Sequence, residues 1–145
     1  MWIMRVLLIT FLVMFNISFI PVDDVGDGWK SDVQLALTKI SKIDPEKYHI
    51  LNKHCNHIGF WNGKFSTTED SAILISSQDA KGRNINNIAA ILIHESMHLC
   101  IKHDKIKIAK ENEEYMCYVY ELDFLRQIPN VEPWLIEHVQ LQLNK

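Results

Sequence analysis

The chain has 145 residues, 48% of them hydrophobic, with a formal net charge of -3 and a pI near 6.1. That length supports one domain with a real core and is short for two, and the charge leaves no electrostatic footprint for nucleic acid. Cys55, Cys100 and Cys117 make an odd set without CxxC spacing, which argues against a disulfide framework and against a cysteine zinc knuckle.

At the amino terminus, Val6 to Ile20 reads VLLITFLVMFNISFI, with only Thr10, Asn16 and Ser18 polar. One early arginine ahead of about fifteen apolar residues has the layout of a signal peptide. The run is shorter than the ~20 residues of a comfortable span. FIPVDDVGDG offers no A-x-A cleavage site. Residues 1–21 are therefore read as a signal peptide or an uncleaved signal-anchor. Arg5 on the amino-terminal side would send the rest of the chain outward, so the domain is expected to be secreted or membrane-anchored outside the cytoplasm. Residues 22–28 read as an acidic, glycine-containing linker and residues 29–145 as the folded domain.

Trp29, Val33, Ala36, Leu37 and Ile40 have helical spacing, with Asp27 or Ser31 as caps. Asp44-Pro45 opens a further turn or two of helix through Tyr48 to Leu51, a cap followed by proline at the first helical position. HIGFWNGKFST then places Asn62-Gly63 between aromatic and β-branched residues, a strong hairpin signal. In this reading Trp61 and Phe65 are packing residues beside the turn. SAILISS, residues 71 to 77, reads as a strand. Asn84 or Asn86 can cap a helix running to about Lys102, packed through Ile85, Ile88, Ala89, Leu92 and Leu99. The basic cluster Lys102, His103, Lys105, Lys107 and Lys110 reads as a solvated loop. A second long helix runs from about Glu111 to Gln127, and Pro133 opens a final amphipathic one. Helices flanking a small sheet predict an α+β fold.

Within the first long helix lies ILIHESMHLC, residues 91 to 100. Positions i and i+4 of a helix share a face, so His94 and His98 can present two imidazoles to one ion at the ~2.0–2.1 Å zinc requires. Glu95 is rotated about 100° from His94. It is badly placed as a third ligand and well placed as a general base for a metal-activated water. A catalytic zinc site needs a third protein ligand and one open position. The metzincin continuation is missing, because Ile101 and Asp104 stand where glycine and histidine are required, and His103 reads as a loop histidine. The next helix, ENEEYMCYVYELDFL, supplies glutamates instead.

On these residues the chain resembles a small gluzincin of the zincin metallopeptidase superfamily. The resemblance covers roughly residues 70 to 127, with a specific HExxH part and a weaker glutamate part. It implies a glutamate ligand followed three residues later by a small residue, a form that Glu114-Tyr-Met-Cys117 fits. Glu113, with Met116 in the small position, is the rival, and Glu111 stands further off. The resemblance implies a zincin-like fold with Zn²⁺ on His94, His98 and Glu114, Glu95 as catalytic base, and a peptide or protein substrate.

Tyr118, on the face of Glu114, reads as core or as a group able to orient a ligand or steady an oxyanion. His54 and His57 of HCNH read as a surface pair or a cleft wall. The strand at Ala72 to Ser76 would border the cleft and pair with extended peptide. Two rival functions accompany the peptidase: an inactive zinc-binding module that holds a partner protein at the membrane, and a metal-free helical interaction domain.

Overall fold

The computed structural model describes residues 20–145, so the expected signal or anchor segment lies outside the described residues except for Ile20 and Pro21. The described residues form five helices and a three-stranded sheet, an α+β arrangement. They are α1 (Trp29–Ile43), α2 (Pro45–His54), β1 (His57–Trp61), β2 (Thr67–Glu69), β3 (Ala72–Ser76), α3 (Ile85–His103), α4 (Lys110–Leu125) and α5 (Pro133–Leu143).

The helices begin where their chemistry directs. Asp44 accepts a hydrogen bond from the Lys47 N–H at 3.0 Å ahead of Pro45, and Asn84 accepts from the Asn87 N–H at 2.9 Å. Each satisfies an otherwise unpaired donor of the first turn. Neither Asp27 nor Ser31 caps α1; its N-cap is Gly28, whose φ of 80° is the left-handed region that glycine enters without strain. The α2 helix also runs longer than expected, to His54.

α3 is the centre of the molecule, packed against α1, α2, α4 and the sheet. Ile88 through Ser96 is buried without a break, as befits a helix that is apolar almost all round. His94 and Glu95 fall inside this stretch. The core around it is built from Val33, Ile40, Leu51, Ile58, Ile73, Ile75, Leu92, Ile93, Phe124 and Leu125.

The sheet departs from expectation. Its order is β1-β3-β2, with β1 parallel to β3 (His57 opposite Ala72, Trp61 opposite Ser76) and β2 antiparallel to it. Asn62-Gly63 forms no hairpin, because neither residue takes the positive φ that a type I′ turn requires. The hairpin that forms joins β2 to β3 through Asp70, at φ 52°. Gly63 instead lies under the Trp61 indole, where a Cβ would collide with the ring, and Trp61 Nε1 donates to the Phe65 carbonyl at 3.0 Å. Without the hairpin this loop projects, so Trp61 and Phe65 are exposed, not packed. β3 is the central strand, which leaves it no free edge for a peptide; β2 and β1 are the edge strands, and the outer side of β1 is bridged at Ile58 by Val22.

The segment read as a linker enters the fold at its start. Val22 bridges Ile58 in parallel, Ile58 N–H donates to Pro21 O and Asp23 N–H to Ile58 O, both at 2.9 Å, and Ile20 and Val22 are buried. Among the described residues no helix is long and apolar enough to cross a membrane. The basic stretch read as a loop is only partly one: Lys102 and His103 close α3 and Lys110 opens α4, which leaves Lys105 and Lys107 in the connection; the four lysines are exposed, but His103 is half-buried against His54 and Ser71.

Candidate metal centre

α3 and α4 pack side by side, and their facing sides carry the chemistry. From α3 come His94, Glu95 and His98; from α4 come Glu113, Glu114, Cys117, Tyr118 and Glu121. Helical spacing puts Glu114, Cys117, Tyr118 and Glu121 on one face, and that face meets the two histidines.

The two rings lie edge to face, 5.2 Å between centroids. Their Nε2 atoms converge on a single carboxylate: Glu114 Oε2 is 3.4 Å from His94 and Glu114 Oε1 is 3.0 Å from His98. Their Nδ1 atoms are held from behind. Glu121 Oε2 is 2.9 Å from His94 Nδ1, and Glu113 Oε1 is 2.8 Å from His98 Nδ1. Tyr118 packs edge-on against His94, with ring centroids 4.5 Å apart. Glu113 and Glu114, rivals for one role in the sequence, therefore occupy different positions, and it is Glu114 that faces both Nε2 atoms.

Burial would lower the pKa of His94, but its bonds to Glu114 and Glu121 outweigh that and hold it up to about 10. His98 follows the same balance, with burial opposed by Cys117, Glu114 and Glu113, and is held up to about 11. Contacts with His94 and His98 press Glu114 well below the carboxylate range. Beside these carboxylates both rings favour the protonated form. Burial raises Glu95 against the pull of the two histidines. It also raises Glu121, and it raises Tyr118 to about 12, with nearby carboxylates assisting. The tyrosine keeps its proton and can donate it.

Two imidazoles whose Nε2 atoms face one acceptor can exchange their protons for one cation, with the Nδ1–H groups still bonded to carboxylates. His94, His98 and Cys117 also have ligand atoms mutually within 4.8 Å, close enough to share a metal ion. The cluster opens into a cavity of about 560 Å³. Its walls include Glu95, Thr67 and Thr68 of β2, Asp79, and His138 of α5.

Sequence reading brought together His94, Glu95, His98, Glu114 and Tyr118, and the fold gathers all five. It missed Glu121, whose signal was available: seven residues after Glu114, it lies two turns along the same face. It also missed Asp79 and His138, which no local spacing connects to the motif. His57 pairs with Asp23 at 3.1 Å, away from the cluster, while His54 is buried and not part of a surface pair. All three cysteines are free and buried. Comparison with protein-family models, curated proteins and solved structures returns no match.

Proposed function

We propose that the chain is a zincin-like zinc metallopeptidase in which His94, His98 and Glu114 hold Zn²⁺ and Glu95 is the general base. The observation that carries this reading is the convergence of both Nε2 atoms on Glu114 while other carboxylates hold both Nδ1 atoms. Tetrahedral ligands at ~2.0–2.1 Å from zinc lie roughly 3.3 Å apart. The separations of 3.4 and 3.0 Å from Glu114 to the two rings are of that size. Two imidazoles and one carboxylate also match the ligand sets of catalytic zinc sites, which keep a fourth position open.

Bound there, Zn²⁺ would polarise the scissile carbonyl and lower the pKa of the attacking water. Glu95 would serve as the base for the attacking water and hand the proton on to the leaving amine; burial, by raising its pKa, suits it to both transfers. Tyr118, protonated and against His94, offers its O–H to the developing oxyanion. Glu121 and Glu113 fix the tautomer and orientation of the two rings. β2, an edge strand at the cavity wall, can pair with an extended backbone, which makes a peptide the substrate.

The test is paired. Glu95→Gln is expected to keep its zinc and lose peptide hydrolysis by about 10²-fold or more. His98→Ala is expected to lose the zinc of this site. Zinc content indifferent to His98→Ala in a metal-replete preparation would sink the reading.

Cys117 favours a second reading. A thiol within 4.8 Å of both imidazoles can act as a fourth protein ligand, and a closed zinc site is structural. The chain would then be a non-catalytic zinc module that binds a partner at the membrane. Cys117→Ala decides between them. Hydrolysis preserved in that variant favours the enzyme; collapse of zinc affinity, with no hydrolysis by either protein, favours the closed site.

A further inference from the structure

On the side of α3 turned away from the HExxH face, the ends of two helices meet. His54 is the last residue of α2, Cys100 lies in the final turns of α3, and Asp104 is the residue that caps α3. The nearest ligand atoms of these three side chains all lie within 4.8 Å of one another. His54 Nε2 is 3.4 Å from Asp104 Oδ2, and Cys100 Sγ is 3.5 Å from the same oxygen. Tetrahedral N, O and S donors at ~2.0–2.3 Å from one ion are separated by roughly 3.3–3.6 Å.

The His54 side chain is 3% exposed. Its Nε2 is the one buried side-chain nitrogen or oxygen among the described residues that makes no hydrogen bond, and it faces Cys100 and Asp104. Such an orphan is costly unless something binds it.

The rest of the ring is accounted for. His54 Nδ1 lies 3.2 Å from His103 Nδ1, and His103 Nε2 lies 3.3 Å from Ser71 Oγ. Two proton arrangements satisfy this relay, and in one of them His54 Nδ1–H donates to His103 Nδ1 and His103 Nε2–H donates to Ser71 Oγ. That leaves the lone pair of His54 on Nε2, the tautomer a metal-ligating histidine adopts when its other nitrogen is held by a neighbour. Both α2 and α3 end at this corner, and the C-terminal end of a helix favours a cation.

We propose that His54, Cys100 and Asp104 form a second metal site, distinct from the HExxH cluster, that takes Zn²⁺ as a structural staple between the ends of α2 and α3. Imidazole, thiolate and carboxylate are a zinc donor set and a poor one for Mg²⁺ or Ca²⁺, which prefer all-oxygen shells. Binding a metal through Cys100 expels the thiol proton, so the site's affinity rises with pH. Asp104 is exposed, so solvent can supply the fourth ligand.

The test loads the metal-stripped full chain with Co²⁺, follows the thiolate-to-cobalt charge-transfer band, and counts zinc in parallel preparations. In His98→Ala, which disables the other cluster, the band and about one metal per chain are expected to persist. Adding Cys100→Ala should abolish both, and Asp104→Asn, at an exposed position that spares the core, should weaken cobalt binding. His98→Ala that binds no metal while the unmodified chain binds one overturns this site and leaves the peptidase reading standing. Metal lost with Cys100→Ala but indifferent to His98→Ala upholds this site and overturns the other. If the variants fail to fold, the unmodified chain decides: about two zinc per chain supports the second site, and one zinc with no thiolate band overturns it.

Discussion

A histidine can ligate a metal well only if something decides which nitrogen carries its proton. His94 and His98 each receive that decision from a glutamate at 2.9 or 2.8 Å on Nδ1. The side chains of His94 and Glu121 are both 10% exposed, so this pair is shielded from competing water. Glu113, at 31%, works in a wetter setting. Glu121→Gln should therefore cost zinc affinity more than Glu113→Gln, by roughly 10–100-fold for the buried residue. Chelator-competition titrations of the two variants measure the difference, and equal losses would show that burial of the partner is irrelevant. This ranking was out of reach of the sequence. HExxH is visible because i and i+4 share a helical face, whereas the partner of each Nδ1 depends on how α3 and α4 meet.

At the scale of elements, Asp44 does more than begin α2. Its carboxylate accepts from the Lys47 N–H at 3.0 Å, pairs with Lys47 Nζ at 3.3 Å and accepts from Gln127 Nε2 at 2.6 Å, tying α2 to the end of α4. Burial raises its pKa, but the bonds from Lys47 and Gln127 and the Lys47 charge outweigh that and bring it below the ordinary value. A carboxyl depressed on folding stabilises the fold above its unfolded pKa, and that contribution is lost as pH falls through the folded pKa. Asp44→Ala should cost about 1–2 kcal/mol near neutral pH. The gap from the unmodified chain, read from urea midpoints, should narrow on acidification below the carboxylate range; a pH-independent gap would mean the cap acts through packing. Caps of this kind are local, which is why α2 and α3 were legible in the sequence from Asp44-Pro45 and Asn84. The sheet was not legible in the same way. Asn62-Gly63 is a local hairpin signal that lost to a non-local pairing, β1 against β3, which buries Ile58, Ile73 and Ile75 in one layer. Pairing across that distance is set by what the apolar faces can cover, and no dipeptide reports it.

For the whole molecule, the consequential residues are those around the start of the expected linker, Ile20 and Val22. The composition changes near Pro21, so a sequence reading places the fold after it, yet burial continues back through Val22 to Ile20. These residues extend the sheet beyond β1 by a parallel bridge. The flanking Pro21 carbonyl accepts from Ile58 N–H and Asp23 N–H donates to Ile58 O, both at 2.9 Å, which gives the outer side of Ile58 its partners. Full burial of a Val or Ile side chain is worth ~1.5–3 kcal/mol, so Ile20 and Val22 together contribute roughly 3–6 kcal/mol before the hydrogen bonds are considered. Domain stability is of the order of 5–15 kcal/mol, so this is a large share of it. A fragment of residues 24–145 is therefore expected to be markedly less stable than one of residues 20–145. Its urea midpoint should fall, and its amides on β1 should exchange faster than those on α3. The His94, His98 and Glu114 cluster, carried by α3 and α4, should suffer less than the sheet, so the zinc binding proposed for it is expected to outlast the sheet's protection. Equal urea midpoints for the two fragments would show that the strand bridge contributes nothing and that residues 22–28 do serve only as a linker to the domain of residues 29–145.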